Sequence, residues 1–92
     1  MMRYIISYDI PDDKRRLHLA KVLLDFGDRV QYSVFEAILS QKLFDKLIEK
    51  IATVIDPAED SVRIYPMCAM CEGNIKIMGR GDLPKQEDVY IL

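Results

Sequence analysis

Residues 2–13 read MRYIISYDIPDD, and the fold turns on how they are read. Tyr4, Ile5, Ile6, Tyr8 and Ile10 form an almost unbroken run of aromatic and β-branched residues. That composition predicts a central strand over 2–10, buried on both faces. Pro11 stops it, because proline has no N–H to give a sheet. Asp9 stands at the far end of the run, ahead of two further acids, Asp12 and Asp13. A carboxylate at the mouth of a buried strand is the first candidate for chemistry. The plainer alternative is a strand-end acid that caps a turn or accepts backbone N–H bonds.

Working outward, Asp12 is placed to cap a helix over 13–26, with Asp12 and Asp13 favoured there by the helix dipole. Leu19, Val22, Leu23 and Phe26, flanked by Ala20 and Leu24, give it one apolar stripe; Lys14, His18, Lys21 and Asp25 give the wet face. Gly27 is expected to end it in a left-handed position. Residues 28–39 alternate as a strand but change parity. Val30, Tyr32 and Val34 share one face, then Phe35, Ala37 and Leu39 take over, so a break is expected near 32–34. Ser40 caps a second helix over 41–55, striped by Phe44, Leu47, Ile48, Ile51 and Ile55. A strand follows over 61–67, a further one is expected over 74–78, then a loop over 79–84 and a short terminal strand over 88–92.

The order β-α-β-β-α-β is the α+β, ferredoxin-like arrangement: an antiparallel sheet with two helices on one face and here an extra C-terminal strand. Residues 1–78 make that domain; residues 79–92 make the loop and a strand expected to be exchanged between subunits. A first strand apolar on both sides needs a second cover, and the chain has no element left to supply it. A homodimer packed sheet to sheet is the economical solution.

The totals agree with one small globular domain. The chain has 92 residues, half of them hydrophobic and 30% charged, with a net charge of −2. An acidic balance does not rule out nucleic acid, since a local basic patch decides binding. No stretch reads as a secretory signal or a membrane span, so the cytoplasm is the expected compartment. Two cysteines make no disulfide framework.

Three stretches taken together resemble a known family. YDIPDDKRR after the first strand, RVQYSVFE over 29–36, and a later strand carrying Arg63-Ile64-Tyr65 resemble the small CRISPR-associated nucleases called Cas-two. The resemblance covers most of the first two thirds of the chain. It implies a ferredoxin-like fold, a symmetric homodimer with C-terminal strands crossing to the partner, and metal-dependent endonuclease action on RNA or DNA. It also implies work with the CRISPR integrase, Cas-one, in capturing new spacers, with the dimer as a DNA-holding bridge. Residue by residue, the family's end-of-strand acid falls on Asp9, preceded by Tyr8; its helix-one arginine falls on Arg16; Arg29 and Phe35 fall in the RVQYSVF stretch. Where some relatives carry a second basic residue two positions after that arginine, this chain has His18.

Phosphodiester hydrolysis needs a positioned water and charge relief on the phosphate, and Mg²⁺ can supply both. Mg²⁺ takes oxygen ligands, commonly one or two carboxylates with water and phosphate. Asp9 is the candidate metal ligand, and a dimer axis beside it would bring in its copy. Arg16 and Arg29 are candidates for catalysis and for phosphate contact; the alternative is ion pairing with a neighbouring carboxylate. Lys14, Arg15 and Lys21 belong to the same basic stretch, with a solvated helix face as the plainer reading. Tyr8 is a candidate to support the site or stack on a base, as is Phe35, whose parity also suits core packing. Ser33 is a candidate to orient a water, or to satisfy local backbone. Cys68-Ala-Met-Cys71 is a single CxxC, too few ligands for structural zinc, and reads as buried or incidental thiols. Two rivals to the nuclease stand: a non-catalytic dimeric DNA-binding adaptor for the integrase, and a ribonuclease toxin of related fold.

Overall fold

The computed structural model of the chain describes residues 1–79. The expected strand over 88–92 and its exchange between subunits lie outside the described residues. Within them the order is β1 (Met2–Asp9), α1 (Asp13–Leu24), β2 (Asp28–Gln31), β3 (Val34–Leu39), α2 (Gln41–Val54), β4 (Ser61–Met67) and a short α3 (Ala69–Glu72). The sheet has strand order β2-β3-β1-β4 with antiparallel pairing throughout, which is the ferredoxin-like topology.

β1 is central, and side-chain alternation sorts it. Tyr4, Ile6 and Tyr8 point to the face covered by the helices, with Ile10 just beyond, and all four are buried. Phe35, Ala37 and Leu39 from β3 join them, as do Leu19, Ala20 and Leu23 from α1 and Leu47, Ile51 and Val54 from α2. The Tyr4 and Phe44 rings stack with centroids 4.4 Å apart, fastening α2 to the sheet. Both caps form as the sequence predicts: the Asp12 carboxylate accepts from Arg15 N–H at 2.9 Å, and the Ser40 hydroxyl from Leu43 N–H at 3.3 Å. The parity change falls at the β2–β3 turn, with a register shift between Arg29 and Gln31. On the helices, Leu24 and Ile48 stand more exposed than the predicted stripes have them, while Val54 is buried.

Four expectations need correction. The second face of β1 is not apolar: it carries Arg3, Ile5, Ser7 and Asp9, and Arg3 is completely buried there. Its guanidinium donates from Nη1 to Glu36 Oε1 at 3.0 Å and from Nε to Glu72 Oε1 at 3.1 Å. Burial pulls the Arg3 pKa down, but Glu72 and Glu36 outweigh it and hold the value above its ordinary level. The chain therefore does supply part of the second cover, through α3. Second, no strand forms over 74–78. The chain leaves the sheet at Cys68 and turns through α3, and residues 74–78 pair with none of the four strands. Third, Cys68 and Cys71 are exposed, so of the two readings given for them the buried one falls. Fourth, Gly27 is not left-handed; Gly79 is the positive-φ glycine among the described residues. A Cβ on Gly27 would lie 2.1 Å from the Glu36 carbonyl oxygen and 2.8 Å from Ala37 Cα. The glycine is there because the α1–β2 turn touches β3 backbone.

A second ion-pair cluster joins the two halves of the fold. Arg15 at the start of α1 donates to both carboxylate oxygens of Asp60, at 2.8 and 3.1 Å, and to Glu59 at 3.1 Å. Asp60 also accepts from Asp56 N–H at 2.7 Å, which orders the turn leading into β4. Arg15 first, with that N–H, holds the Asp60 pKa below the usual carboxylate value.

Three outcomes follow from this architecture. Gly27→Ala forces backbone apart and lowers unfolding free energy by about 1–3 kcal/mol, read from urea titration. Arg3→Ala removes the buried cation that answers Glu36 and Glu72 and costs about 3–5 kcal/mol, whereas Arg3→Met combined with Glu36→Gln and Glu72→Gln recovers most of the loss. The Arg15–Asp60 contribution is present above about pH 4, the ordinary aspartate value, and is lost as pH falls through the lower folded value. Asp60→Asn should therefore lower Tm at neutral pH and flatten its fall in acid, as a series of melts across pH will register.

Candidate functional site

The same alternation that buries Tyr8 turns Asp9 outward. Asp9 is exposed at the end of β1, on the open face of the sheet, opposite Ser61 of β4. Ser7, two residues earlier on that face, lies opposite Arg63, and Ile5 lies opposite Tyr65. Ser7, Tyr8, Asp9, Ser61, Arg63 and Tyr65 line one depression. Arg63 and Tyr65 sit two residues apart on one strand face, and the Tyr65 hydroxyl raises the Arg63 pKa above its ordinary value. The depression thus joins one carboxylate, one fixed cation and several hydroxyls. Those are hard oxygen donors of the kind a divalent cation takes, beside a guanidinium suited to a phosphate.

The predicted residues fall into three groups. Asp9 is in the depression. Tyr8 borders it, but its ring is buried and stacks with Phe35 at 6.2 Å between centroids. Phe35 has no exposed surface, so a base cannot stack on it where it stands; parity places both rings in the core. The third group is held close by. Arg16 donates to the carbonyl oxygens of Ile10 and Pro11, at 2.9 and 3.4 Å, and pairs with Asp13. It clasps the turn leaving β1 and so fixes the backbone next to Asp9. Arg29 lies 5.3 Å over the Phe35 ring, a cation–π contact. Ser33 is half-buried in the β2–β3 turn, and its carbonyl accepts from Tyr8 N–H at 3.2 Å. That bond brings the turn to the same end of the sheet as Asp9. Neither Arg16, Arg29 nor Ser33 lines the depression.

Reading the sequence for site residues passed over Arg63, Ser61 and Ser7. The signal for Arg63 was present, since Arg63 and Tyr65 alternate with Val62 and Ile64 and so mark the outward parity of a strand. Nothing local marks Ser7 or Ser61; only the β1–β4 register brings them beside Asp9. Among the described residues, no group of three or more His, Cys, Asp or Glu side chains could hold a metal ion. Among the described residues, one chain brings the right donor chemistry to the depression but a single carboxylate, Asp9.

Comparison with known proteins bears on the same residues. The family profile described as CRISPR associated protein Cas2 matches residues 2–75. A relative from Chloroflexus aurantiacus, called CRISPR-associated endoribonuclease Cas2 1, is 44% identical over 99% of this chain and its own full length. The crystal structure of Streptococcus pyogenes Cas2 at pH 6.5 superposes with a TM-score of 0.75 at 30% identity, covering 85% of this chain and all of that one. A chain of a partial Cas6-RT-Cas1–Cas2 complex superposes with a TM-score of 0.74 at 29% identity, covering 85% of this chain and 91% of that one. Because the matched residues run from the first of β1 to beyond α3, and so take in the whole sheet and both covering helices, this chain belongs to the CRISPR associated protein Cas2 family.

Proposed function

We propose that the protein is a homodimeric, Mg²⁺-dependent endonuclease of CRISPR defence, cleaving phosphodiester bonds in RNA or DNA. The observation that carries this reading is the exposed Asp9 carboxylate on the open sheet face, with Arg63 beside it. Relatives bearing the names endonuclease and endoribonuclease support the reaction class. Mg²⁺ would supply charge relief on the phosphate and a water of lowered pKa. Asp9 would hold it, and the Asp9 of a second copy would provide a second carboxylate. Arg63 would hold the substrate phosphate, with Ser7 and Ser61 as neutral hydrogen-bonding groups. Arg16 keeps the Asp9 backbone in place through the Ile10 and Pro11 carbonyls. The half-buried Ile5, Val34 and Ile38 on the open face favour a second copy packed against it. A cytoplasmic location fits these roles.

The complex that contains Cas1 and Cas2 favours a second reading, a non-catalytic adaptor that holds DNA for the Cas1 integrase. One experiment separates them. Purified protein is incubated with single-stranded RNA, single-stranded DNA and duplex DNA, with Mg²⁺ or with EDTA. The nuclease reading expects cleavage that EDTA abolishes and that Asp9→Asn lowers on the order of a hundredfold, the usual scale for losing an electrostatic stabiliser. Equal cleavage by Asp9→Asn rejects the role of Asp9. No cleavage by either protein, with spacer capture intact in Asp9→Asn, selects the adaptor. Sedimentation should give twice the chain mass.

A further inference from the structure

Cys68 and Cys71 lie outside the depression and outside every role described above. β4 ends at Met67, and the chain turns at once into α3, with Cys68 as its N-cap and Cys71 in its single turn. Both thiols are exposed, and their sulfurs are 3.5 Å apart. A disulfide needs about 2.0 Å between sulfurs and α-carbons near enough to bridge, which a CxxC across one helical turn allows. The next residue, Glu72, is anchored to the buried Arg3 of the central strand. The turn is therefore held in place from within the fold while its two thiols face solvent.

We propose that Cys68 and Cys71 form a reversible intrachain disulfide, a redox modification site whose co-reactant is a low-molecular-weight disulfide of the glutathione class. In the first step the Cys68 thiolate attacks one sulfur of that disulfide. A mixed disulfide forms at Cys68 and one thiolate leaves. In the second, the Cys71 thiolate attacks Cys68 Sγ, the protein disulfide closes and the second small thiolate leaves. The two protein thiols lose two protons and two electrons, and the electrons reduce the small disulfide to two thiols. The roles of the two sulfurs differ in the right sense. The Cys71 N–H, with the Cys71 thiol and the Met70 N–H, favours a Cys68 thiolate and lowers its pKa; the neighbouring Cys68 sulfur raises that of Cys71. Attack is then favoured at Cys68 and resolution at Cys71. Closing the bond restrains the residue immediately before Glu72, so oxidation tightens the turn that presents Glu72 to Arg3.

The test is intact-mass spectrometry of the full chain in buffers of graded glutathione redox potential, with non-reducing gels alongside. Wild type should lose two hydrogens in mass, stay a single chain on the gel and recover its mass on adding excess thiol. Cys71→Ser should stop at a stable glutathione adduct on Cys68. Cys68→Ser should form its adduct severalfold more slowly. The proposal is overturned if wild type accumulates glutathione adducts without closing, if the disulfide joins two chains, or if both thiols stay reduced even in fully oxidised glutathione. Equal adduct rates in the two variants would overturn Cys68 as the attacking sulfur. Both exposed serine substitutions should leave the melting temperature of the reduced protein unchanged. A failure of either to fold is met by repeating the measurement with alanine.

Discussion

Alternation along β1 is the constraint on which the rest of the molecule depends. A strand has two faces and no freedom to choose between them once its register is set. With Tyr4, Ile6 and Tyr8 committed to the helix side, Arg3, Ile5, Ser7 and Asp9 must share the other. The core and the candidate site are therefore one decision made twice. A register slip by one residue would put the Asp9 carboxylate under α1 and α2 and expose the tyrosines. The hydrophobic penalty against that slip is what keeps the carboxylate in solvent.

Arg3 shows how much of this arrangement is electrostatic. A guanidinium with no exposed surface is costly to desolvate, and it survives because two carboxylates answer it from different elements. Glu36 comes from the neighbouring strand and Glu72 from the turn after β4. The pair of bonds ties the start of the chain to a position 69 residues later, across the open face. Packing alone would leave α3 with little reason to lie where it does, because four residues bury almost nothing.

Local signals in the sequence were enough for the two long helices, their caps, β1, β4 and the break between β2 and β3. Each of these rests on periodicity, on a capping side chain or on a parity change within a few residues. What escaped was non-local. Arg3 reads as an ordinary charged residue at a strand start until Glu72 is beside it. Gly27 reads as a helix C-cap, and only the approach of β3 backbone reveals its purpose. α3 has too few residues to show a period, so Asn74 to Met78 looked like the more plausible element. For the site, Asp9 was legible because an acid ending an apolar run is conspicuous. Tyr8 and Phe35 were drawn in by the family resemblance, although strand parity turns both side chains toward the core. Arg63 was visible as a pattern but comes beside Ser7 and Asp9 only through the β1–β4 pairing.

The carboxylates that neutralise Arg15 and Arg16 carry a consequence for ionic strength. Asp60 and Glu59 occupy the first guanidinium, and Asp13 with two backbone carbonyls occupies the second. Two charges that look like a basic patch in the sequence are largely spent inside the fold. A polyanion docking beside Asp9 would meet Arg63, while Arg15 and Arg16 are already answered by carboxylates. Each phosphate neutralised by a protein cation releases condensed counterions, and that release sets the slope of affinity against salt. With their charge already answered inside the fold, Arg15 and Arg16 have few counterions left to release, so they add little to that slope.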